Sequence, residues 1–432
     1  MRDSKIKIKG CKGNFEREPL LAPFGFKGQS ISELWQSIAF LENENGNQGL
    51  GLGVQSVLWS DPQVLSEYGS VGGDSIMFLL TSYALKIIEG MEYDTPIDLL
   101  NQVLPEVYKF AKRVTGMDDL KETFVLNALV PVDLAAWMLY YKENSFQSFD
   151  DMIPDIYKSS LSQKQDKLAG IPLITYGVPI EDVAEFAHNG YPILKIKIGS
   201  DPDKDKDPRK MLEWDKNRIT EIHQAVKDIY TPYTSNENIA YYLDANGRYD
   251  NKDQVMELLD HADKIGALDS IVLLEEPFEQ DKHIDVRDIP VRLAADESAH
   301  SNRDVQERIQ MGYQAIALKP IAKTLSMSLL MAKTAVSQGI PCFCADLTVN
   351  PIMVDWNKNV AARLEPLPGM SIGVLETNGS QNYTNWDAME SYLPYSQGSW
   401  VKMQNGLFQL DDDFYKYSGG TFEISDYYMS RV

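Results

Sequence analysis

Six charged side chains end or interrupt apolar, strand-like runs. They are Lys195 and Lys197 in PILKIKIG, Asp244 in AYYLDANG, Glu275 in IVLLEEPF, Asp296 in VRLAADES and Lys319 in AIALKP. Charges on buried strands are costly unless they meet a partner or a metal ion. Two lysines, three carboxylates and a further lysine, in that order, predict one cation site with a base on each side. Converging carboxylates repel one another unless a cation joins them. Hard oxygen donors with no matching His or Cys set favour Mg²⁺, with Mn²⁺ as second choice. An ion held this way leaves positions open for a substrate carboxylate and stabilises the enediolate formed when the α-proton leaves. A lysine serves as base only if its pKa falls, and a cation and a second lysine both push it down. Lys197 on one side and Lys319 on the other are then suited to opposite faces of the α-carbon.

The elements that must position these residues repeat along the second half of the chain. Eight short apolar runs, IPLITY, PILKIKIG, AYYLDANG, IVLLEEPF, VRLAADES, AIALKP, PCFCADL and SIGVLE, alternate with amphipathic stretches such as 253–265 and 325–337. Strands separated by crossovers of this length predict a parallel βα barrel. Side chains two apart share a strand face, so Lys195 and Lys197 point inward while Leu194, Ile196 and Ile198 meet the helices. The charges fall at the C-terminal ends of their strands, the rim where barrel enzymes carry their chemistry.

The first part of the chain has a different texture. Lys5–Lys9, Trp35–Leu41 and Gln48–Trp59 suggest an antiparallel sheet of about three strands. Glu16–Ser30, with Pro19, Pro23, Gly25 and Gly28, reads as a loop. Helical patterns follow from Ser75 to Asn144, so this part is expected to be a separate α+β domain. The division expected is a capping domain over residues 1–168, a barrel over 169–378, and a C-terminal segment over 379–432 that returns to the cap.

At 432 residues, 44% hydrophobic and 24% charged, the chain suits two domains or one large barrel with a cap. Its net charge of −22 argues against binding a nucleic-acid backbone. The three cysteines (Cys11, Cys342, Cys344) are too few for a disulfide framework, and Cys342 and Cys344 read as small buried hydrophobes on one strand face. The N-terminus lacks an apolar leader, and no stretch approaches the roughly 18 apolar residues of a membrane span, so a cytoplasmic protein is expected. Two motifs are decoys. Gly49–Gly53 lacks the strand-turn-helix context of a dinucleotide fingerprint. The run Asp201, Asp203, Asp205, Asp207 has Lys206 and Leu212 where a calcium loop needs Gly and Glu.

On these residues the chain resembles the enolase superfamily, in its muconate-lactonizing (cycloisomerase-like) subgroup. The matching motifs are Lys195-Ile196-Lys197, Asp244–Asn246, Glu275–Pro277, Ala295–Ser298 and Leu318–Pro320, with Val132–Trp137 resembling the helix before the barrel. The resemblance implies an α/β fold, a modified TIM barrel of (β/α)₇β form with an α+β capping domain built from both termini. It implies Asp244, Glu275 and Asp296 as Mg²⁺ ligands and Lys197 and Lys319 as the acid/base pair. Lys195 is then the auxiliary lysine touching the substrate carboxylate, and Glu276 and Glu297 adjoin the ligands in support. No nucleotide-type cofactor is implied. The five histidines, at 188, 223, 261, 283 and 300, all lie away from the seventh strand, where mandelate-racemase-like members carry one; PCFCADL offers Asp346 there. Leu375-Glu376-Thr377 departs from the Asp-x-Asp of dipeptide epimerases. The LKP around Lys319 is similar to o-succinylbenzoate synthases and N-acylamino-acid racemases.

The function expected is Mg²⁺-dependent removal of a proton α to a carboxylate, for racemisation or epimerisation. Syn-elimination through the same intermediate and a silent ligand-binding barrel are the alternatives. The expected partner is a small carboxylate, with neither nucleic acid nor membrane, and a homo-oligomer is compatible. Specificity is expected from Glu16–Ser30, where Phe24 and Phe26 are candidates for closing over substrate. It is also expected from Glu376, which has either a cationic substrate group or a Lys or Arg of the tail as its partner.

Overall fold

The computed structural model describes residues 5–26 and 29–432. Three antiparallel strands, Ile6–Phe26, Gln29–Asn43 and Gln48–Gln55, form the cap sheet, with Glu92–Tyr93 added beside Ile6 and Lys7. Of the stretch expected to be a loop, Glu16–Ser30, the described residues 16–26 and 29–30 are instead the far half of a long hairpin. Glu16 faces Gln36, Pro19 faces Glu33, and after an irregularity Phe24 faces Ile31. The prolines are tolerated because the outer side of this strand meets no further strand beyond Lys7, apart from one bridge between Leu20 and Tyr383. Lys27 and Gly28, and the side chain of Phe26, lie outside the described residues.

Three helices, Pro62–Ile88, Pro96–Thr115 and Glu122–Glu143, cover the sheet. The first begins at Asp61, which accepts bonds from the Gln63 and Val64 amides and caps it, and is broken at Gly69, whose φ of +70° is not helical. The glycines of 49–53 act in packing. A Cβ on Gly49 would stand 2.1 Å from the Ala135 carbonyl oxygen, and one on Gly51 1.9 Å from that of Pro131. Helix Glu122–Glu143 therefore rests its backbone on a bare strip of strand. Gly51→Ala is expected to destabilise the protein by about 1–3 kcal/mol through overpacking, read as a lower midpoint in urea. A midpoint equal to the parent's would show that the strip is dispensable.

Contrary to the sequence expectation, two helices among the described residues, Pro62–Ile88 and Glu122–Glu143, are long and apolar enough by length and composition to cross a membrane. The second is a core helix, with 94% of its most apolar window buried in the protein.

The barrel has eight staves. The first is split at Pro172: Lys167–Ile171 pairs with Gly373–Glu376, and Leu173–Ile174 pairs with Ile193–Lys197. That switch closes the ring through Ala240–Asp244, Ile271–Glu275, Leu293–Ala295, Ala315–Leu318 and Cys342–Cys344, all parallel. Helices fill six of the seven crossovers. The fourth, 276–292, is irregular, bracketed by Pro277 and Pro290 and carrying Asp281, Asp285 and Asp288 in place of an apolar stripe. Small residues (Ala240, Ala294, Ala315, Ala317) fill the interior around Tyr242 and Phe343, whose rings meet edge-on at 5.5 Å. Cys342 and Cys344 are buried, unbridged, and packed in the larger core outside the ring.

Buried polar bridges fix cap to barrel. Trp137 Nε1 donates to Ser326 Oγ at 3.0 Å, and Ser326 donates through both its amide and its hydroxyl to Asp133. Asn350 donates to Gln36 Oε1 at 2.7 Å, Gln36 to the Tyr383 hydroxyl at 2.9 Å, and Tyr383 to the Thr348 carbonyl at 2.6 Å. The C-terminal segment touches both domains. Leu407–Gln409 pairs antiparallel with the first stave, while Thr384 and Arg431 reach Pro19 and Glu16 of the cap hairpin.

Candidate active site

Strand register brings the six charged residues together. Lys197 stands beside Asp244, Asp244 beside Glu275, and Glu275 beside Ala294, two residues before Asp296. Lys319 follows the end of the sixth stave. All but Lys197 are fully buried, and Lys197 is nearly so. Lys195 Nζ lies 3.1 Å from Asp244, 3.3 Å from Glu275 and 3.1 Å from Glu376, over the Tyr242 ring at 4.6 Å. Lys197 Nζ donates to Asp244 Oδ2 and Asn246 Oδ1, both at 2.6 Å. Lys319 pairs with Asp296 Oδ2. The end of the Lys-x-Lys strand is pinned from outside: the buried Asp215 carboxylate accepts from the Gly199 amide at 2.8 Å and from the Tyr249 hydroxyl at 2.8 Å.

The carboxylates divide differently from the expected set. Oxygens of Glu275, Asp296 and Glu297 lie within 4.8 Å of one another, the spacing of a cation site. Glu297 was expected only to support the ligands, yet it belongs to this group and keeps a buried Oε2 without a partner among the described residues. Asp244 lies outside that group, its carboxylate held by Lys195 and Lys197. Glu276 does stand behind the site: at φ +41° it turns away, and its Oε2 accepts from the Asp296 amide at 2.8 Å and Ser298 Oγ at 3.0 Å. The hard oxygen donors, their convergence and the orphaned Glu297 oxygen fit a divalent cation.

Two residues that the sequence reading passed over belong here. Lys323, four positions after Lys319, is wholly buried and donates to Asp296 Oδ1 at 2.9 Å and to the Asp296 carbonyl at 2.8 Å. Its signal was a second lysine inside an apolar run. Trp59 of the cap lies over the Lys319 ammonium, and no sequence signal pointed to it.

Electrostatics follow these contacts. Burial opposes ionisation of Asp244, but Lys195 and Lys197 outweigh it and hold its carboxyl down at about 2. Asp296 is likewise held below the usual carboxylate range by Lys319 and Lys323 despite its burial. Burial raises Glu275 to about 8, and Asp296 and Glu297 add to the push against Lys195. Burial lowers Lys319, yet Asp296 and Glu297 overcome it and hold the amine above its ordinary value. That is opposite to the depressed lysine expected of a base; a divalent cation on the same carboxylates would push the amine back down.

At the seventh and eighth staves, Glu376 pairs with Lys195 and accepts from the Asp346 amide at 3.1 Å, rather than meeting a lysine or arginine of the tail. Burial, then Glu376, raises Asp346 to about 6. The cap closes the cavity with Phe24, Ile31, Leu34, Leu58 and Trp59, and Leu173 and Leu347 face them from the barrel.

The sequence of residues 180–368 matches the family described as enolase C-terminal domain-like. The barrel is enolase-like in its sequence. Solved structures share the fold of the whole chain. A mandelate racemase/muconate lactonizing protein from Herpetosiphon aurantiacus superposes with a TM-score of 0.62 at 15% identity, covering 94% of this chain and 96% of that one. A dipeptide epimerase from Enterococcus faecalis, solved with Mg and L-Leu-L-Tyr, gives 0.62 at 16% identity, covering 94% and 97%. The L-Ala-D/L-Glu epimerase from Bacillus subtilis gives 0.63 at 15%, covering 93% and 96%. No curated protein matches the sequence.

Proposed function

We propose that this protein is an enolase-superfamily enzyme, a Mg²⁺-dependent racemase or epimerase of an amino-acid-like carboxylate. The observation that carries the reading is a pair of amines, Lys197 bonded to Asp244 and Lys319 bonded to Asp296, at the ends of the second and sixth of eight staves. Lys197 takes the α-proton from one face, and Lys319, on the far side, returns one to the other; the roles reverse for the opposite enantiomer. Lys195, fixed by Asp244, Glu275 and Glu376, offers positive charge to the substrate carboxylate. Glu275 and Asp296 would hold the ion, with Asp244 as third ligand from the sequence pattern and Glu297 as the third that the geometry offers. Bound there, the ion would neutralise charge spreading onto the substrate carboxylate as the proton leaves. The apolar cap residues exclude water from the exchanging proton. The structural neighbours include epimerases of dipeptides and an N-succinyl Arg/Lys racemase, which supports an acylated or peptide-like substrate. The strongly negative formal charge of −22 and the three free cysteines support a cytoplasmic enzyme acting on small molecules, without a nucleic-acid or membrane partner.

The test is a panel of acylamino acids, dipeptides and sugar acids incubated with the protein and Mg²⁺ in D₂O. Deuterium at the α-carbon of both enantiomers supports the proposal. A new double bond would assign elimination through the same intermediate, and Mg²⁺ binding without exchange on any class would leave a silent binding barrel.

A further inference from the structure

We propose that Trp59 of the cap is the positioning residue for Lys319, so that one of the two bases is built jointly by cap and barrel. This rests on the two-lysine reading above and adds to it a residue from the other domain. The two lysines are restrained in unlike ways. Lys197 Nζ is held by two barrel oxygens, Asp244 Oδ2 and Asn246 Oδ1, each at 2.6 Å. Lys319 Nζ has one barrel carboxylate, Asp296, and on another side the Trp59 ring, with 4.6 Å from nitrogen to ring centroid. A lysine stem is flexible and its ammonium is a compact point charge, so it needs a second contact to define where the nitrogen stands. An aromatic face supplies that contact by cation–π attraction without bringing another charge into the site.

The indole is not placed by a bond of its own. Its Nε1 is buried with no acceptor among the described residues, although Trp59 is only 8% exposed. Buried donors are normally satisfied, and exceptions gather where function fixes a side chain. The turn Val57–Ser60 that carries the ring is instead locked by its backbone. Asn127 Oδ1 accepts from the Ser56 amide at 3.0 Å, Asp74 Oδ1 from the Val57 amide at 3.3 Å, and Thr123 Oγ1 donates to the Ser60 carbonyl at 2.7 Å. The ring is thus a rigid wall set by cap helices, and the amine leans on it.

The test uses Trp59→Leu and Trp59→Phe in the full chain with Mg²⁺. Single variants Lys197→Met and Lys319→Met first assign which enantiomer depends on which lysine. Trp59→Leu is expected to lower kcat for exchange of the Lys319-dependent enantiomer by about 10²-fold, the scale of an ångström misplacement, a clearly larger loss than for the Lys197-dependent enantiomer, with Trp59→Phe restoring most of it. Equal loss for both enantiomers, or a rise in KM alone, would overturn the proposal and leave Trp59 a pocket wall. A second readout does not depend on turnover: the Lys319 side-chain methylene protons should be ring-current shifted upfield in the parent and return to ordinary positions in Trp59→Leu. Unshifted methylenes in the parent would overturn the placement even if exchange is seen. Shifted methylenes in a protein that exchanges no substrate would instead overturn the two-lysine reading, and with it the functional role of the ring.

Discussion

Lys197→Met and Lys319→Met are each expected to cut α-proton exchange of one enantiomer by about 10²–10⁴-fold, the worth of a positioned general base, and to abolish racemisation altogether. Each variant should still exchange the enantiomer whose proton faces the surviving lysine. The two substitutions differ in their effect on folding. Lys197 is the least buried of the three central lysines, and Asp244 retains Lys195 at 3.1 Å when it is removed. Loss of Lys319 leaves Asp296 with Lys323 alone, so some loss of stability is expected in the ion-free protein. Lys195→Met is the harsher change, because Asp244, Glu275 and Glu376 all converge on that one amine. Exchange measured by NMR, beside a urea midpoint for each variant, separates chemistry from folding. Racemisation that survives either Lys197→Met or Lys319→Met would end the two-base mechanism.

Removing the divalent ion is expected to abolish exchange, and restoring it to stabilise the fold. Six carboxylates (Asp244, Glu275, Asp296, Glu297, Asp346 and Glu376) line the cavity with three lysines, an acidic excess that a cation would relieve. An ion bound only by the folded state stabilises it by about 2.7 kcal/mol at a hundredfold excess over its Kd, which a thermal melt with and without Mg²⁺ reads directly. Glu275→Gln and Asp296→Asn should each weaken Mg²⁺ binding in calorimetry. Asp244→Asn and Glu297→Gln decide the third ligand: the sequence motif predicts the larger loss for Asp244, and the 4.8 Å grouping predicts it for Glu297. A melt indifferent to Mg²⁺, or exchange undiminished by a chelator, would remove the ion from the mechanism.

The central residues were legible because each is a charge in an apolar run. A strand of alternating faces that carries Lys195 and Lys197, or that ends on Asp244 or Glu275, leaves few places for the charge to go, and parallel register then stacks these positions side by side. The closed barrel was legible from the same runs and their spacing. The hairpin Glu16–Ser30 was not, since Pro and Gly mark loops in sequence, while an edge strand with a free outer side accepts them. Glu276 and Glu297 look alike beside their neighbours; the positive φ at Glu276 turns one outward, and only backbone conformation reveals it.

By its residues alone this chain determined a parallel barrel with lysines and carboxylates on its rim, because local alternation and the cost of burying charge act along the chain. Which carboxylates share a cation site, that Glu376 answers Lys195, that Lys323 lies beneath Asp296 and that Trp59 covers Lys319 were decided by the tertiary structure. Those contacts join residues far apart in sequence, and their partners are chosen by the register of the ring and the docking of the cap, which no local pattern encodes.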